Sequence, residues 1–249
     1  VGYVAVNGGT LTVKAGDDGI HAEGDLLIRG GTVTITQSVE GLEGYSVTLA
    51  GGTTTVTASD DGVNVSDGAG GTTTTGGGMA GPGGGGPGGG GNQDTGQYLI
   101  ISGGTNSVSS GGDGLDSNGR TIVTGGTTTV YGPTSNGDGA LDSNGGITVT
   151  GGTLLAGGSA GMAEAPSAAS TVGWVSVRFS STVAAGQSVQ IKSGDQVLAS
   201  YQSTKAIAAL VVAAKGITNG PTYDVYVAGT KTGTVTAGQH TSGGFGGRP

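Results

Sequence analysis

The chain has 249 residues, of which 59 are glycine and none is cysteine, and its formal net charge is −8. The lack of cysteine excludes a disulfide framework, a thiolate zinc site and a cysteine nucleophile, and there is no apolar run of the roughly 18 residues that a transmembrane helix needs. Residues 1–170 contain 15 acidic and three basic residues, whereas residues 171–249 contain two acidic and six basic residues. The negative charge of the first part excludes nucleic acid and anionic lipid as partners unless a cation intervenes.

The first predicted element is a repeat that the tripeptide Gly-Gly-Thr marks. Its copies start at Gly8, Gly30, Gly51, Gly103, Gly125 and Gly151. The one long interval contains residues 68–97, which are rich in glycine and proline, have almost nothing to bury and are predicted to be a flexible insertion. With these residues set aside, the repeat has six copies of about 22 residues each.

Apolar residues recur at fixed places in each copy, and they alternate with polar residues. Aligned on Gly-Gly-Thr, the four apolar positions hold Val4, Leu26, Val47, Leu99 and Ile147; Val6, Ile28, Leu49, Ile101, Val123 and Val149; Val13, Ile35, Val56, Val108, Val130 and Ala156; and Ile20, Leu42, Val63, Leu115 and Leu141. A period of two indicates strands with one buried face. Three short strands per repeat predict an all-β fold, a right-handed parallel β-helix over residues 1–170, in which stacked rungs bury what one rung cannot.

The repeat stops at Thr171, and the remaining chain has a different composition. Residues 171–237 contain predicted strands in which apolar and polar residues alternate or apolar residues run continuously. Turn sequences separate these strands, and the segment holds most of the aromatic residues. We expect a small β cap that covers one end of the helix, because an open rung presents unpaired strand edges. Residues 238–249 are predicted to be a flexible tail.

An acidic residue precedes a glycine in five of the repeats. Stacking would place these acids in a first column, and polar residues three or four positions later in a second column. The first column holds Asp18, Glu40, Asp61, Asp113 and Asp138, flanked by Asp17 and Asp60, and the second holds His21, Glu43, Asn64, Asp116 and Asp142. Carboxylates about 5 Å apart repel each other by roughly 3 kcal/mol per pair at a surface-like dielectric.

Two interpretations of these columns remain open. An acid before a glycine is ordinary turn chemistry, which needs no ligand. Aligned oxygen donors also match Ca²⁺, which takes six to eight oxygens in irregular geometry, so the columns are predicted to bind calcium through every acid named above and Asn64. A column of Thr12, Thr34, Thr55, Ser107 and Thr129 similarly has two interpretations, an ice-binding face or simply outward strand positions.

Several motifs together resemble a secreted clostridial family of carbohydrate-binding β-helices, whose best-known member binds cellulose and pectic acid. They are "DDGIHA", the Gly/Pro-rich insertion, "ISGGT", "GDGLDSNG", "VYGPTSNGDGALDSNG", "GGTLLAGGSAGMAEAP" and "GPTYDVYVAG". The resemblance covers nearly the whole chain. It implies a pectate-lyase-like shape, bound calcium, a secreted or cell-surface location and binding of a polysaccharide, acidic or cellulosic, without cleavage.

The leading functional hypothesis is therefore a non-catalytic, calcium-binding β-helix that holds an acidic polysaccharide such as polygalacturonate. Arg120 and Tyr131 are the candidate sugar-contacting residues. Arg120 is also the one candidate base for a polysaccharide lyase, although a lone arginine is more often a surface ion pair. The alternative hypothesis is a structural subunit that associates head to tail into an extracellular filament, because the two parts of the chain carry opposite net charge.

Overall fold

We describe a computed structural model of the chain, which describes residues 2–66 and 94–240. Most of the predicted insertion and most of the predicted tail therefore lie outside the described residues. In its described residues, the repeat region forms thirteen strands. They are β1 (Val4–Val6), β2 (Thr10–Lys14), β3 (Ile20–Ile28), β4 (Thr32–Gln37), β5 (Leu42–Leu49), β6 (Thr53–Thr57), β7 (Val63–Val65), β8 (Tyr98–Ile101), β9 (Thr105–Ser109), β10 (Leu115–Ser117), β11 (Arg120–Tyr131), β12 (Leu141–Ser143) and β13 (Ile147–Gly158).

These strands stack in parallel along three faces of a solenoid. One face has the order β1-β3-β5-β8-β11-β13, a second has β2-β4-β6-β9-β11-β13, and the third has β3-β5-β7-β10-β12. The long strands β3, β5, β11 and β13 each turn a corner and contribute to two faces. The structure confirms the predicted all-β parallel β-helix with rungs of about 22 residues.

The strand register confirms each of the apolar columns. Val4 pairs with Leu26, Ile20 pairs with Leu42, and the same positions continue from rung to rung. The aligned side chains form one continuous buried cluster along the axis. One interior column was not predicted: Thr54, Asn106 and Thr128 replace apolar residues inside the solenoid, and Asn106 Nδ2 donates to Thr128 Oγ1 over 3.1 Å.

The second glycine of each Gly-Gly-Thr turn has a left-handed backbone. The six φ angles lie between 74° at Gly126 and 86° at Gly31. Residues with a side chain rarely adopt this backbone conformation, so glycine lets every rung turn the same corner in the same way. This is why the tripeptide marks the repeat so regularly.

Six further strands form the cap at the end of the last rung. They are β14 (Trp174–Val183), β15 (Ser188–Ser193), β16 (Gln196–Gln202), β17 (Ile207–Ala213), β18 (Thr222–Val227) and β19 (Thr230–Thr236). Strand β17 pairs antiparallel with β13, and β14 pairs with β17, so the cap extends the solenoid's own sheet. A second sheet, β16-β15-β18-β19, packs over a separate apolar cluster. Among the described residues, no helix is long and apolar enough to cross a membrane.

Candidate functional site

The second polar column is present as the sequence predicted. Register pairs His21 with Glu43, Glu43 with Asn64, Asn64 with Asp116, and Asp116 with Asp142. These residues lie on the face built from β3, β5, β7, β10 and β12, and their side chains point outward between buried neighbours. The five side chains therefore form one straight row along the rod.

The first column agrees with the prediction over four rungs and differs at the fifth. The backbone N–H groups of Gly19, Gly41 and Gly62 donate to the carbonyls of Glu40, Asp61 and Asp113, so the acids stack in order. In the next rung Gly139, not Asp138, aligns with Asp113, because Gly114 N donates to the Gly139 carbonyl. The prediction that Asp138 continues the column was therefore wrong. The cause is one extra residue, Ala140, between the acid-glycine pair and Leu141.

We call the two columns together the acidic ladder. It comprises the first column from Asp18 to Asp113 and the second column from His21 to Asp142. Asp138 remains close enough to its end to interact electrostatically with Asp113 and Asp142. Asp17 and Asp60 flank the ladder as exposed side chains.

The ladder's glycines are needed for packing rather than for an unusual backbone. A Cβ at Gly62 would lie 2.6 Å from the Gly114 carbonyl oxygen and would clash with the Val108 side chain. A Cβ at Gly19 would similarly lie 2.6 Å from the Gly41 carbonyl oxygen. Neither glycine has a positive φ. The acid therefore stands at a tight corner, where the glycine after it lets neighbouring rungs stack closely and brings the carboxylates into a row.

A histidine bridges two acids at the first rung. Its Nδ1 lies 3.3 Å from Asp18 Oδ2 and is hydrogen-bonded to Glu43 Oε2. The ligand atoms of these three residues lie within 4.8 Å of one another, close enough to hold one ion. The hydrogen bond to Glu43, together with the charges of Glu43 and Asp18, raises the pKa of His21.

The middle of the ladder holds an amide oxygen without a donor. Asn64 Nδ2 donates to Glu40 Oε2 over 2.8 Å, which directs the amide into the ladder. Asn64 Oδ1 is buried and accepts no hydrogen bond from any described residue. A buried amide oxygen without a partner is costly, and beside carboxylates it has the character of a cation ligand.

Burial and mutual repulsion make the middle carboxylates difficult to ionise. Burial, reinforced by the charges of neighbouring acids, raises the pKa of Asp61 to about 7, of Asp113 to about 6 and of Asp116 to about 8. Two backbone N–H groups oppose this shift: Asp113 N donates to Asp61 Oδ1 over 2.7 Å, and Gly139 N donates to Asp113 Oδ1 over 2.6 Å. Burial also raises the pKa of Glu40 and of Asp142.

Sequence reasoning missed Glu164 at the end of the ladder. Glu164 Oε2 accepts a hydrogen bond from Ser143 N over 3.1 Å, beside Asp142. Burial, reinforced by the charge of Asp142, raises the pKa of Glu164 to about 7. The residue follows the last repeat in an irregular segment, so no alignment of repeats could find it. Its position extends the row of acids by one more carboxylate.

The two candidate sugar-contacting residues lie in different surroundings. Arg120 Nε donates to Asp94 Oδ2 over 2.6 Å, and the arginine side chain is 65% exposed. Tyr131 is half-buried at the cap, where its ring lies 5.6 Å from that of Tyr201. That contact gives Tyr131 a structural role, and its contact with sugar stays a prediction.

The predicted threonine column is also aligned. Thr12, Thr34, Thr55, Ser107 and Thr129 stack through the second face of the solenoid. The residues two positions earlier, Thr10, Thr32, Thr53, Thr105 and Thr127, form a second outward column beside it. Both columns suit outward strand positions, where threonine pairs well with its cross-strand neighbours.

Comparison with known proteins finds a similarity over the first part of the chain. The sequence model of a family described as carbohydrate-binding domain-containing protein matches residues 1–86. The matched residues include the first three rungs and the part of the ladder from Asp18 to Asn64. The match confirms the resemblance to a carbohydrate-binding family. No curated protein and no solved structure matches the chain.

Proposed function

From the match of residues 1–86 to a carbohydrate-binding family, we infer that this chain binds a polysaccharide through the outer surface of its β-helix. A solenoid offers one long rigid surface on which successive rungs repeat the same side-chain positions, and this suits a polymer of repeating sugars. We propose that the protein acts at the cell surface or outside the cell, where such polymers are found.

Calcium is the proposed resident ion of the acidic ladder. Carboxylates from neighbouring rungs, together with Asn64 Oδ1, would hold it, and oxygen donors of this kind and irregular spacing are what calcium accepts. The donor-less amide oxygen and the raised pKa values of the ladder carboxylates support this assignment. When bound, the ion would supply the positive charge that the row of acids lacks.

An acidic glycan such as polygalacturonate is the proposed ligand of this surface. Residues 1–170 carry 15 acidic and three basic residues, so two polyanions would otherwise repel each other. Ladder carboxylates can present a shared cation to uronate groups, while the strands hold those carboxylates at a fixed spacing of roughly 4.8 Å per rung.

We propose that binding occurs without cleavage. Elimination from a uronate needs a base that removes the proton from the ring carbon bearing the carboxylate. The candidate base, Arg120, donates a hydrogen bond to Asp94 and is paired with Tyr98 in the strand register, so it is not one of the ladder positions. A family described by carbohydrate binding is consistent with this assignment.

Affinity electrophoresis in gels that contain polygalacturonate tests the proposal. We expect calcium to retard the protein and a chelator to abolish the retardation, with no unsaturated product detected by ultraviolet absorbance. Retardation that survives the chelator would refute bridging through a cation. Product that disappears in Arg120→Ala would make the protein a lyase, and filaments in electron micrographs without binding to any glycan would favour the structural alternative.

A further inference from the structure

The second face of the solenoid carries two outward columns of hydroxyl side chains, which we call the threonine face. One column runs from Thr10 to Thr127 and the other from Thr12 to Thr129, over five consecutive rungs. Nine of the ten positions hold threonine and the tenth is Ser107. The acidic ladder runs along the third face, so the function proposed above gives the threonine face no role.

Strand register makes the threonine face a regular array in two dimensions. Strands β2, β4, β6, β9 and β11 pair in parallel, without a register shift between any of the ten positions. Neighbouring positions are therefore about 4.8 Å apart across the strands and about 6.6 Å apart along them, over a length of about 19 Å. A left-handed glycine directly precedes the first column in every rung, so each strand starts at the same place.

Packing beneath the threonine face holds this array in place. Between the two columns, the inward side chains of Val33, Thr54, Asn106 and Thr128 are fully buried. Asn106 Nδ2 donates to Thr128 Oγ1 over 3.1 Å and so connects two neighbouring rungs. Threonine is branched at Cβ and has few side-chain rotamers. The array is thus rigid before any ligand arrives, which lowers the entropy cost of binding.

The hydroxyls of the threonine face are not used by the fold. Within the described part of the chain, none of the ten makes a hydrogen bond with another residue. Along the strand from Thr10 to Lys14 and its equivalents in the next four rungs, Lys14 is the one charged residue. An uncharged surface does not attract ionic partners, so a polyanion or a basic protein does not suit this face.

Ordered water is the partner that fits these properties. Each threonine places a methyl group, around which water loses orientational freedom, beside a hydroxyl that both donates and accepts hydrogen bonds. Water held at these points takes the spacing of the array, and spacings of about 4.8 and 6.6 Å are close to repeat distances of hexagonal ice. A flexible polymer presents one row of groups, whereas a crystal presents both repeats at once.

We propose that the threonine face binds ice and that the chain thereby restrains the growth of ice crystals. A protein adsorbed on a crystal surface prevents further water molecules from joining the lattice there. This activity needs neither calcium nor glycan, because it uses a different face of the solenoid from the acidic ladder.

Inhibition of ice recrystallisation by the full chain tests the proposal, with the growth of ice grains followed by microscopy just below the melting point. We expect the parent protein to keep the grains small, with or without a chelator. The double variant Thr53→Lys with Thr55→Lys puts two charges at the centre of the array and should raise the protein concentration required about tenfold or more. Thr124→Lys, at an exposed position of β11 outside the threonine face, is the matched control and should act like the parent.

The outcomes separate ice binding from the function proposed above. Grains that grow as fast in the parent protein as in an equal concentration of lysozyme would overturn ice binding and leave glycan binding intact. A double variant as active as the parent, or one no weaker than Thr124→Lys, would also contradict the role of this face. If the double variant melts at a lower temperature than the parent, Thr53→Lys alone decides the same question. Calcium-dependent retardation in polygalacturonate should be unchanged in all of these variants.

Discussion

Each acid in the first column of the ladder is followed by a glycine, and the absence of a side chain on that glycine lets the rungs stack closely. At Gly62 the carbonyl of the next rung and a core valine occupy the space that a Cβ would need. The same glycine therefore serves the core on one side and the row of carboxylates on the other. Packing, rather than turn conformation, explains why glycine follows the acid in successive repeats.

Replacing Gly62 with alanine should destabilise the solenoid by about 1–3 kcal/mol, the usual cost of overpacking a well-packed interior. Chemical denaturation measures this free energy of unfolding. The matched control is Gly16→Ala, in the turn before the first ladder acid, where a Cβ would meet nothing within 4 Å. Equal stability of the two variants would show that the corner is looser than the structure has it.

Asp116→Asn should raise the melting temperature in a chelator and reduce the further rise that calcium produces. The residue is half-buried among other acids, and burial raises its pKa to about 8, so a neutral amide suits the metal-free site better. Asp195→Asn, on an exposed turn of the cap, is the control. A lower melting temperature in the chelator, or an undiminished calcium effect, would contradict this role.

At the level of elements, periodicity made the solenoid predictable because every rung repeats the same alternation. Leu26, Leu42 and Val56 each fall in a buried column that the tripeptide spacing alone located. The ladder was predictable only as far as the repeat is regular. Ala140 shifts the register at Asp138, and Glu164 reaches the ladder from an irregular segment, so tertiary packing decides both.

A half-buried lysine adds to the strand pairing that joins the cap to the solenoid. Lys205 Nζ donates to three backbone carbonyls of the last rungs, those of Ser110, Tyr131 and Gly132, the last two over 3.0 and 3.4 Å. Burial lowers the pKa of Lys205. The Tyr131 carbonyl also accepts from Ser110 N, so the lysine connects the cap to a point where two neighbouring rungs are already hydrogen-bonded.

Lys205→Met should therefore lower the free energy of unfolding by about 2 kcal/mol, since hydrogen bonds to a charged donor are lost and carbonyls are left unpaired. Urea denaturation would measure it, with Lys215→Met, an exposed lysine of the same cap, as the control. If the two variants unfold alike, strand pairing and apolar contacts hold the cap without a contribution from this lysine.

For the whole molecule, the acidic ladder links stability to pH. The folded pKa values of Asp61, Asp113, Asp116 and Glu164 are raised to about 7, 6, 8 and 7, above their ordinary values of 3.8 for aspartate and 4.5 for glutamate. At a pH between the ordinary pKa values and the raised ones, the folded state therefore binds more protons than the unfolded state. Stability should consequently fall as pH rises from about 4 to about 8.

Urea denaturation of the chelated protein across this pH range should show that loss, and calcium should flatten it, because a bound cation favours the ionised carboxylates. The cap variant Asp195→Asn should show the same pH slope as the parent. A chelated protein whose stability is constant or rises over this range would mean that the ladder acids are not forced together in the fold.

We propose that calcium completes the row of carboxylates, and the decisive measurement is thermal melting at neutral pH in a chelator and in millimolar calcium. Calcium at about 100 times its dissociation constant adds roughly 2.7 kcal/mol, so we expect a midpoint about 5–10 °C higher with calcium. The increase should be smaller in Asp116→Asn and unchanged in Asp195→Asn. Identical midpoints in the chelator and in calcium would contradict the account.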